Sequence, residues 1–170
     1  MKQIFFISIL SLIILSCSES KKDESVRSLL LEQLKNTHNE QNWFVPTNIA
    51  LKGLSLEQSI WKDSTNNHSI AELTTHLTFW NEMNLRSFKG EDMSDLNVDN
   101  EQTFIINTAD DWSMILMKLD SIQTEWEKLI EEASLEKLEE WSSEVTNMTA
   151  HNAYHTGQII YIRKRKGWWP

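Results

Sequence analysis

The sequence predicts an all-α protein organised as a four-helix bundle. Chain-breaking residues are scarce, with four glycines and two prolines among 170 residues. Apolar residues recur at helical spacing in four long segments. No segment alternates apolar and polar residues between turn signals, as a half-buried strand would. Four long amphipathic segments joined by short or partly structured connections are typical of a helical bundle.

The first two long helices are predicted near residues 24–39 and 69–89. In the second, Ser69 is expected to cap the N-terminus and Glu72 to bond back to it, while Gly90 ends the helix. Ser55–Gln58 repeats the capping pattern within the connection. The apolar side of the first helix would consist of Val26, Leu29, Leu30 and Leu34.

The third helix is expected to begin near Thr108, with Asp110 and Asp111 at the positive end of the helix dipole. After a short helical bridge in "SLEKLEEW", the last helix should run from Glu144 to Lys166. Its small residues at Ala150, Ala153 and Gly157 predict close approach of a neighbouring helix. The apolar face of the third helix is formed by Trp112, Ile115, Leu116, Leu119, Ile122, Trp126 and Leu129.

The N-terminus is predicted to be a targeting segment. Ile4–Leu15 is an apolar run of twelve residues, shorter than the roughly 20 that a membrane-spanning helix needs, and residues 1–16 fit a secretory signal peptide. "ILSC" resembles the lipobox of bacterial lipoproteins, which would acylate Cys17; the alternative is an ordinary signal with a chance cysteine. Residues 17–24 would then be a flexible tether and 25–170 the folded domain, held outside the cytoplasm on a membrane.

Composition restricts both partners and ligands. The formal net charge of −9 disfavours nucleic-acid binding, which requires a basic face. Cys17 is the only cysteine, so the folded domain has no thiolate. Any metal site in it must therefore use histidine, aspartate or glutamate.

Three histidines are predicted to converge in the core. His151 and His155 lie one turn apart on the apolar stripe of the last helix, a spacing that lets two imidazoles bind one ion. His76 borders the apolar stripe of the second long helix. Three imidazoles would leave positions open for water or substrate, as in catalytic metal sites; the alternative is three core histidines without an ion. Glu72 and Gln158, on neighbouring turns, could orient the ligands by hydrogen bonds.

The C-terminal sequence "HNAYHTGQIIYIRKRKGWWP" resembles the last helix of the DinB-like superfamily, also described as YfiT-like metal-dependent hydrolases. "HSIAELTTHLTFWNEM" resembles the family helix that supplies a third ligand, with His76 at the matching position. The resemblance implies a four-helix bundle, dimerisation, and one divalent ion held by His76, His151 and His155. Zinc or nickel is the expected metal, with iron or manganese as alternatives.

The function expected from these features is metal-dependent hydrolysis of a small molecule by a lipid-anchored protein, with Lewis-acid activation of water or substrate. No residue stands out as the catalytic base. Some relatives use small thiols in transferase or isomerase reactions, but an extracytoplasmic location would separate the protein from cytoplasmic thiol pools. The alternatives are a binding module without turnover, a thiol-dependent transferase, and a structural lipoprotein with a relict site.

Four further motifs are interpreted as structural. His68 is expected at a helix entry rather than as a fourth ligand, and His38 is expected to face solvent or the turn at Trp43. Asp95–Glu101 resembles the start of a calcium loop but has Asn100 where glycine is required, so it is interpreted as a solvated loop. The basic run 163–166 should complement the negative end of its helix rather than bind phosphate or anionic lipid. Trp168 and Trp169 should pack on the bundle.

Overall fold

The computed structural model describes residues 25–106 and 112–170, and within these ranges the chain is helical and contains no strand. The all-α prediction is therefore confirmed for this part of the chain. The predicted signal peptide, Cys17, the tether and the start of the third helix near Thr108 lie outside the described residues. The helices are α1 (residues 25–38), α2 (Thr47–Leu51), α3 (Leu56–Ile60), α4 (Ile70–Phe88), a 3₁₀ helix (Asn100–Phe104), α5 (Trp112–Glu132) and α6 (Leu135–Arg165). None of the described helices is both long enough and apolar enough to span a membrane.

The predicted capping boxes are confirmed at α3 and α4. The Ser69 hydroxyl accepts a hydrogen bond from the Glu72 amide at 3.1 Å, and the Ser69 amide donates to the Glu72 carboxylate at 2.7 Å. Ser55 and Gln58 make the same reciprocal pair. At the other end of α4, Gly90 adopts a φ of 88°, and the Glu91 amide donates to the Arg86 carbonyl. This left-handed residue and backward bond terminate the helix as predicted.

Helix α4 lies at the centre of the molecule and packs against both α5 and α6. Leu73 and Leu77 of α4 contribute to one apolar cluster with Leu119 and Ile159, and a second cluster surrounds the fully buried Trp126. The expected inward position of Leu29 is wrong, because its side chain is 57 % exposed while Leu30 and Leu34 are buried. Leu29 lies beside the buried stripe of α1 rather than on it.

Helix α6 is one continuous helix of 31 residues, so the predicted break between a short bridge and a helix starting at Glu144 is wrong. Ser134 caps its N-terminus by accepting from the Lys137 amide, and Leu138 is completely buried. Between Ser134 and Thr156 the sequence has neither glycine nor proline. Because no glycine or proline interrupts this segment and the leucine in its first turn is buried, the helix begins more than two turns before the predicted start at Glu144.

A buried pair of carboxamides fixes α4 against α6. Asn81 donates to the Asn152 side-chain oxygen at 2.8 Å, and Asn152 donates back to Asn81 at 3.1 Å. Both residues are at most 1 % exposed. The indole N–H of Trp126 in α5 also donates to the Asn81 carbonyl. Because buried amides are costly unless bonded, this arrangement favours one register of the three helices, and His76 and His151 lie close to it in sequence.

The C-terminal end of α6 is attached to α2 by Arg163. This residue is only 4 % exposed and donates to the carbonyls of Ala50 at 2.5 Å and Trp168 at 3.0 Å. Arg163 therefore has a packing role that its helix-terminal position did not predict. Trp168 packs against the core cluster as expected. Gly157 differs from expectation, because among the described residues no atom outside its own helical turn lies within 4 Å of where its Cβ would be, and no described helix approaches it closely.

Candidate metal centre

The structure brings His76, His151 and His155 together through their Nε2 atoms. The Nε2 atom of His151 lies 3.0 Å from that of His76 and 2.9 Å from that of His155. Each of the three residues can offer one ligand atom to a common ion, with all three atoms within 4.8 Å of one another. His76 comes from α4 and the other two from adjacent turns of α6, so the site bridges the two helices that the carboxamide pair holds in register.

Thr103 orients the imidazole of His76. Its hydroxyl lies 2.5 Å from His76 Nδ1 and 2.6 Å from the Asn100 carbonyl. A carbonyl can only accept, so the hydroxyl proton points at Asn100 and the hydroxyl oxygen accepts from the Nδ1–H of His76. Thr103 belongs to the 3₁₀ helix, which begins at the end of the segment Asp95–Glu101 that is predicted to be a solvated loop. No motif in the sequence indicates a role for this residue.

Gln158 orients His155 in the same way. The Nδ1 atom of His155 lies 2.6 Å from the Gln158 side-chain oxygen, which accepts its proton. The Gln158 amide nitrogen faces the Tyr154 hydroxyl at 3.4 Å, consistent with that assignment of the amide oxygen. The hydrogen bond between Gln158 and His155 is present in the structure, and support of a metal ligand by Gln158 stays a prediction.

These bonds select the tautomers of two histidines. In a neutral imidazole only one nitrogen carries a proton, and in His76 and His155 that nitrogen is Nδ1, as assigned from the hydrogen-bond network. The Nε2 lone pairs of both rings therefore face His151. Two lone pairs directed at a common region repel each other unless a proton or a cation lies between them, and fixing Nδ1–H by a hydrogen bond is how proteins prepare histidine for metal binding.

Burial keeps the site uncharged at neutral pH. Burial, followed by the neighbouring histidines, lowers the pKa of His76 from 6.5 to about 3. The same causes lower the pKa of His151 to about 4. Burial also lowers the pKa of His155, against the hydrogen bond to Gln158, which raises it. Neutral imidazoles are the form that binds metal, so protons do not compete with an ion near pH 7.

The geometry fits a divalent ion. Zn–N bonds of about 2.0–2.1 Å with tetrahedral angles place ligand nitrogens about 3.3 Å apart. The two measured nitrogen–nitrogen distances are shorter than this by a few tenths of an ångström, which small side-chain rotations can supply. An imidazole donor set suits zinc, copper, iron and nickel rather than magnesium or calcium.

Phe104 separates the site from His68. The rings of His68 and His76 both stack on Phe104, with centroid distances of 3.7 and 4.0 Å and nearly parallel planes. His68 therefore lies behind an aromatic ring rather than beside the other three histidines. It is positioned at the entry of α4 as predicted, and Phe104 forms one apolar wall of the site.

Glu72 has other partners. Its carboxylate accepts from the Ser69 amide and from Lys62 Nζ at 3.0 Å, and it lies 3.7 Å from His68 Nδ1. These contacts bind Glu72 into the N-terminal cap of α4. The sequence suggested that Glu72 could orient a ligand histidine by a hydrogen bond. In the structure it is Thr103 that makes such a bond, to Nδ1 of His76.

A cavity of about 380 Å³ opens onto two of the three histidines, His76 and His151. Trp80 and Met148 form its apolar side, while three asparagines and Glu144 form its polar side. Glu144 is the one carboxylate that lines this cavity among the described residues. It is exposed and lies seven residues before His151, on the same face of α6.

His38 has a different environment, and its predicted exposure is wrong. It is 2 % exposed, with Nδ1 lying 2.6 Å from Glu127 and Nε2 lying 2.8 Å from Asp120. The hydrogen bond from His38 is the first cause that lowers the pKa of Asp120, followed by Asn48. Trp43, the alternative neighbour, is 95 % exposed. His38 links α1 to α5 and has no nitrogen free for a ligand.

Fold and site together define an all-helical protein with a three-imidazole cluster suited to one divalent ion. A family model of the DinB superfamily matches residues 45–159. The match covers more than half of the chain and includes all three histidines, so the chain belongs to the DinB superfamily. A search of curated proteins gave no match, and a search of solved structures gave none either.

Proposed function

We propose that this protein binds one divalent metal ion through His76, His151 and His155. The observation that carries the proposal is the convergence of Nε2 lone pairs from His76 and His155, each fixed by a hydrogen bond at Nδ1. A neutral His151 can donate one Nε2–H to only one of these two nitrogens, so the other lone pair has no donor unless a cation binds, and the lowered pKa values of His76 and His151 disfavour an additional proton there. Zinc and nickel are the metals we expect first.

We further propose that the site hydrolyses a small molecule. A divalent ion held by three imidazoles supplies Lewis acidity and makes water a better nucleophile near neutral pH. The cavity beside His76 and His151 has room for a small substrate. Its asparagines can orient polar substrate groups, and Trp80 provides an apolar wall.

Glu144 is our candidate for proton transfer. Its place in the lining of this cavity would let it accept or donate a proton at the substrate without binding the ion. Glu144→Gln should preserve the shape of the side chain and remove the carboxylate that would accept the proton.

For cellular location we propose the lipid anchor at Cys17, which would hold the domain on the outer side of a bacterial membrane. We also propose that α1, α4, α5 and α6 form the four-helix bundle of the family and that the protein dimerises. Support for the bundle comes from Arg27 of α1, which donates to the carbonyls of Ile130, Glu131 and Ala133 at the end of α5. Membrane partitioning of the wild type and of Cys17→Ser tests the anchor, since a variant that still partitions would contradict it.

The decisive experiment measures metal content and turnover on the same preparations. Protein purified without a metal-binding tag would be analysed by mass spectrometry, and its activity on esters, amides and phosphoesters compared before and after chelation. About one ion per chain with chelator-sensitive turnover supports the full proposal. One ion without turnover on any substrate class would reduce it to a binding module, and absence of an ion after exposure to zinc, nickel, iron and manganese would refute it.

A further inference from the structure

A second cavity lies beside α6, on the side of His155 opposite its Nε2 atom. It measures about 470 Å³, within the range of small-molecule sites. The segment 61–68 forms one wall and the outer face of α6 forms the other. Gln158 contributes to the lining, and its oxygen accepts from His155 Nδ1. The cavity is therefore separate from the one that opens onto His76 and His151.

The α6 wall consists of Gly157 between two exposed tyrosines. Tyr154 and Tyr161 are 63 % and 64 % exposed, and no aromatic or cationic side chain stacks on Tyr161 among the described ring contacts. Gly157 lies between them on the same face, and its missing Cβ leaves empty space. Glycine within a helix costs about 1 kcal/mol relative to alanine. Since no helix in the described part of the chain approaches Gly157, open space in the cavity is the feature that the glycine preserves.

Most of the remaining lining is amides and paired charges, with His68, Leu73 and Ile162 completing it. Asn66, Asn67 and Gln158 provide neutral donors and acceptors. The two cations have partners, because Lys62 lies 3.0 Å from Glu72 and Arg165 lies 3.3 Å from Asp63. A charged ligand would have to break one of these pairs or leave a new charge without a partner. The lining therefore favours a neutral ligand with many hydrogen-bonding groups.

The aromatic residues indicate the shape of that ligand. Trp61 joins the two tyrosines. Its ring packs edge-on against Trp168 at 6.0 Å, and Lys166 Nζ lies 4.2 Å from the ring centroid over one face, so these contacts hold the ring in place and cover one of its faces. Three aromatic rings with amides around them match a ring that has apolar C–H faces and hydroxyls on its edge. We propose that this cavity is a carbohydrate-binding site that accepts a neutral pyranose ring, with Tyr154, Tyr161 and Trp61 as its aromatic contacts.

The proposal is tested by binding alone and does not depend on the metal or on turnover. The full chain carrying Cys17→Ser would be titrated with methyl glucoside, methyl galactoside, methyl mannoside and N-acetylglucosamine, using ligand-observed NMR and tryptophan fluorescence. We expect at least one sugar to bind with a Kd in the millimolar range. Binding should persist in chelator and in His76→Gln, whose ring does not line this cavity, which separates this result from failure of the metal site.

Gly157→Leu is the critical variant. Leucine should fill the cavity and weaken sugar binding at least tenfold, while its higher helix propensity keeps or raises the melting temperature. Ser143→Leu, at an exposed position of α6 outside this cavity, should leave binding unchanged. Absence of binding by all four sugars, equal binding by Gly157→Leu, or preferential binding of phenol or benzoate would each overturn the proposal.

Discussion

Two buried histidine environments in this protein differ in what faces the ring nitrogens. Both nitrogens of His38 face carboxylates, at 2.6 and 2.8 Å. In His76 one nitrogen faces the neutral hydroxyl of Thr103, and the other faces a second imidazole. Each nitrogen of His38 is occupied by a carboxylate partner, so neither is available to an ion. A neutral acceptor on one side of His76 leaves the other nitrogen able to bind a metal.

The comparison shows that burial alone does not distinguish a ligand histidine from a structural one. His38 and His76 are 2 % and 3 % exposed, yet their partners give them opposite capacities. Carboxylates make the first a link between helices α1 and α5. Neutral partners and neighbouring imidazoles make the second part of a candidate metal centre. Variants in the two regions should therefore change different measurable properties.

The largest expected effect is loss of the ion. His151→Ala/His155→Ala removes two of three ligand nitrogens, and one remaining imidazole cannot retain a divalent ion at micromolar protein concentration. We expect metal content measured by mass spectrometry to fall from about one ion per chain to none. His38→Ala is the matched control and should keep the wild-type metal content. Equal metal content in the double variant and the wild type would contradict the three-histidine assignment.

The next effect concerns the hydrogen bond behind His76. Thr103→Val removes the acceptor of Nδ1–H, and loss of such a supporting bond typically weakens metal affinity by about 10–100-fold. Thr103→Ser keeps the hydroxyl and should restore most of the affinity. Competition with a chelating dye would measure both variants. If valine and serine gave the same affinity, Thr103 would not orient the ligand.

His38→Ala should have the third effect, on stability rather than on metal. It leaves the carboxylates of Glu127 and Asp120 without their shared donor. Glu127 is largely covered but Asp120 is about half exposed, so water compensates part of the loss, and we expect a cost of about 2–3 kcal/mol. Denaturant unfolding of chelated protein would measure it. A change below about 0.5 kcal/mol, the range of ordinary surface substitutions, would show that the His38 contacts contribute little.

The sequence predicts the structure correctly where a local pattern of residues can form only one favourable local structure. Ser69 with Glu72 three residues later is a local hydrogen-bonding unit, and the structure contains it. The spacing of His151 and His155 depends only on helix geometry. Their meeting with His76 required the additional expectation that inward residues of different helices share the core, which the structure bears out.

The remaining features depend on contacts that sequence spacing does not specify. Thr103 reaches His76 because a 3₁₀ helix forms in a segment with no long apolar repeat. His38 is buried because Asp120 and Glu127, two turns apart on α5, face it across the helix interface. Gly157 predicted close contact with another helix, but the structure has open space there. Glycine is compatible with both environments, so the sequence does not distinguish them. The identity of a single residue such as Gly157 can thus indicate an unusual position, but it does not specify the contacts around that position.

The two regions should also respond to acid in different pH ranges, an effect confined to acidic conditions. The folded-state pKa values of His76 and His151 are about 3 and 4, below the ordinary 6.5. As pH falls below 6.5, the unfolded chain takes up protons on these histidines that the folded chain does not, so metal-free protein loses stability down to about pH 4. Asp120 has its pKa lowered from 3.8. Its contribution is therefore complete above that pH and is lost only as pH falls further.

Variants should separate these ranges. In chelated protein, His76→Gln should flatten the decline in unfolding free energy between about pH 6.5 and 4.5, because one of the groups that bind protons only in the unfolded state is gone. Asp120→Asn should leave the slope in that range unchanged. Urea unfolding at about pH 7, 5.5 and 4.5 compares the slopes. A His76→Gln slope equal to that of the wild type would mean that this ring accepts a proton in the folded state, and the neutral, metal-ready cluster would then be the wrong description of the site.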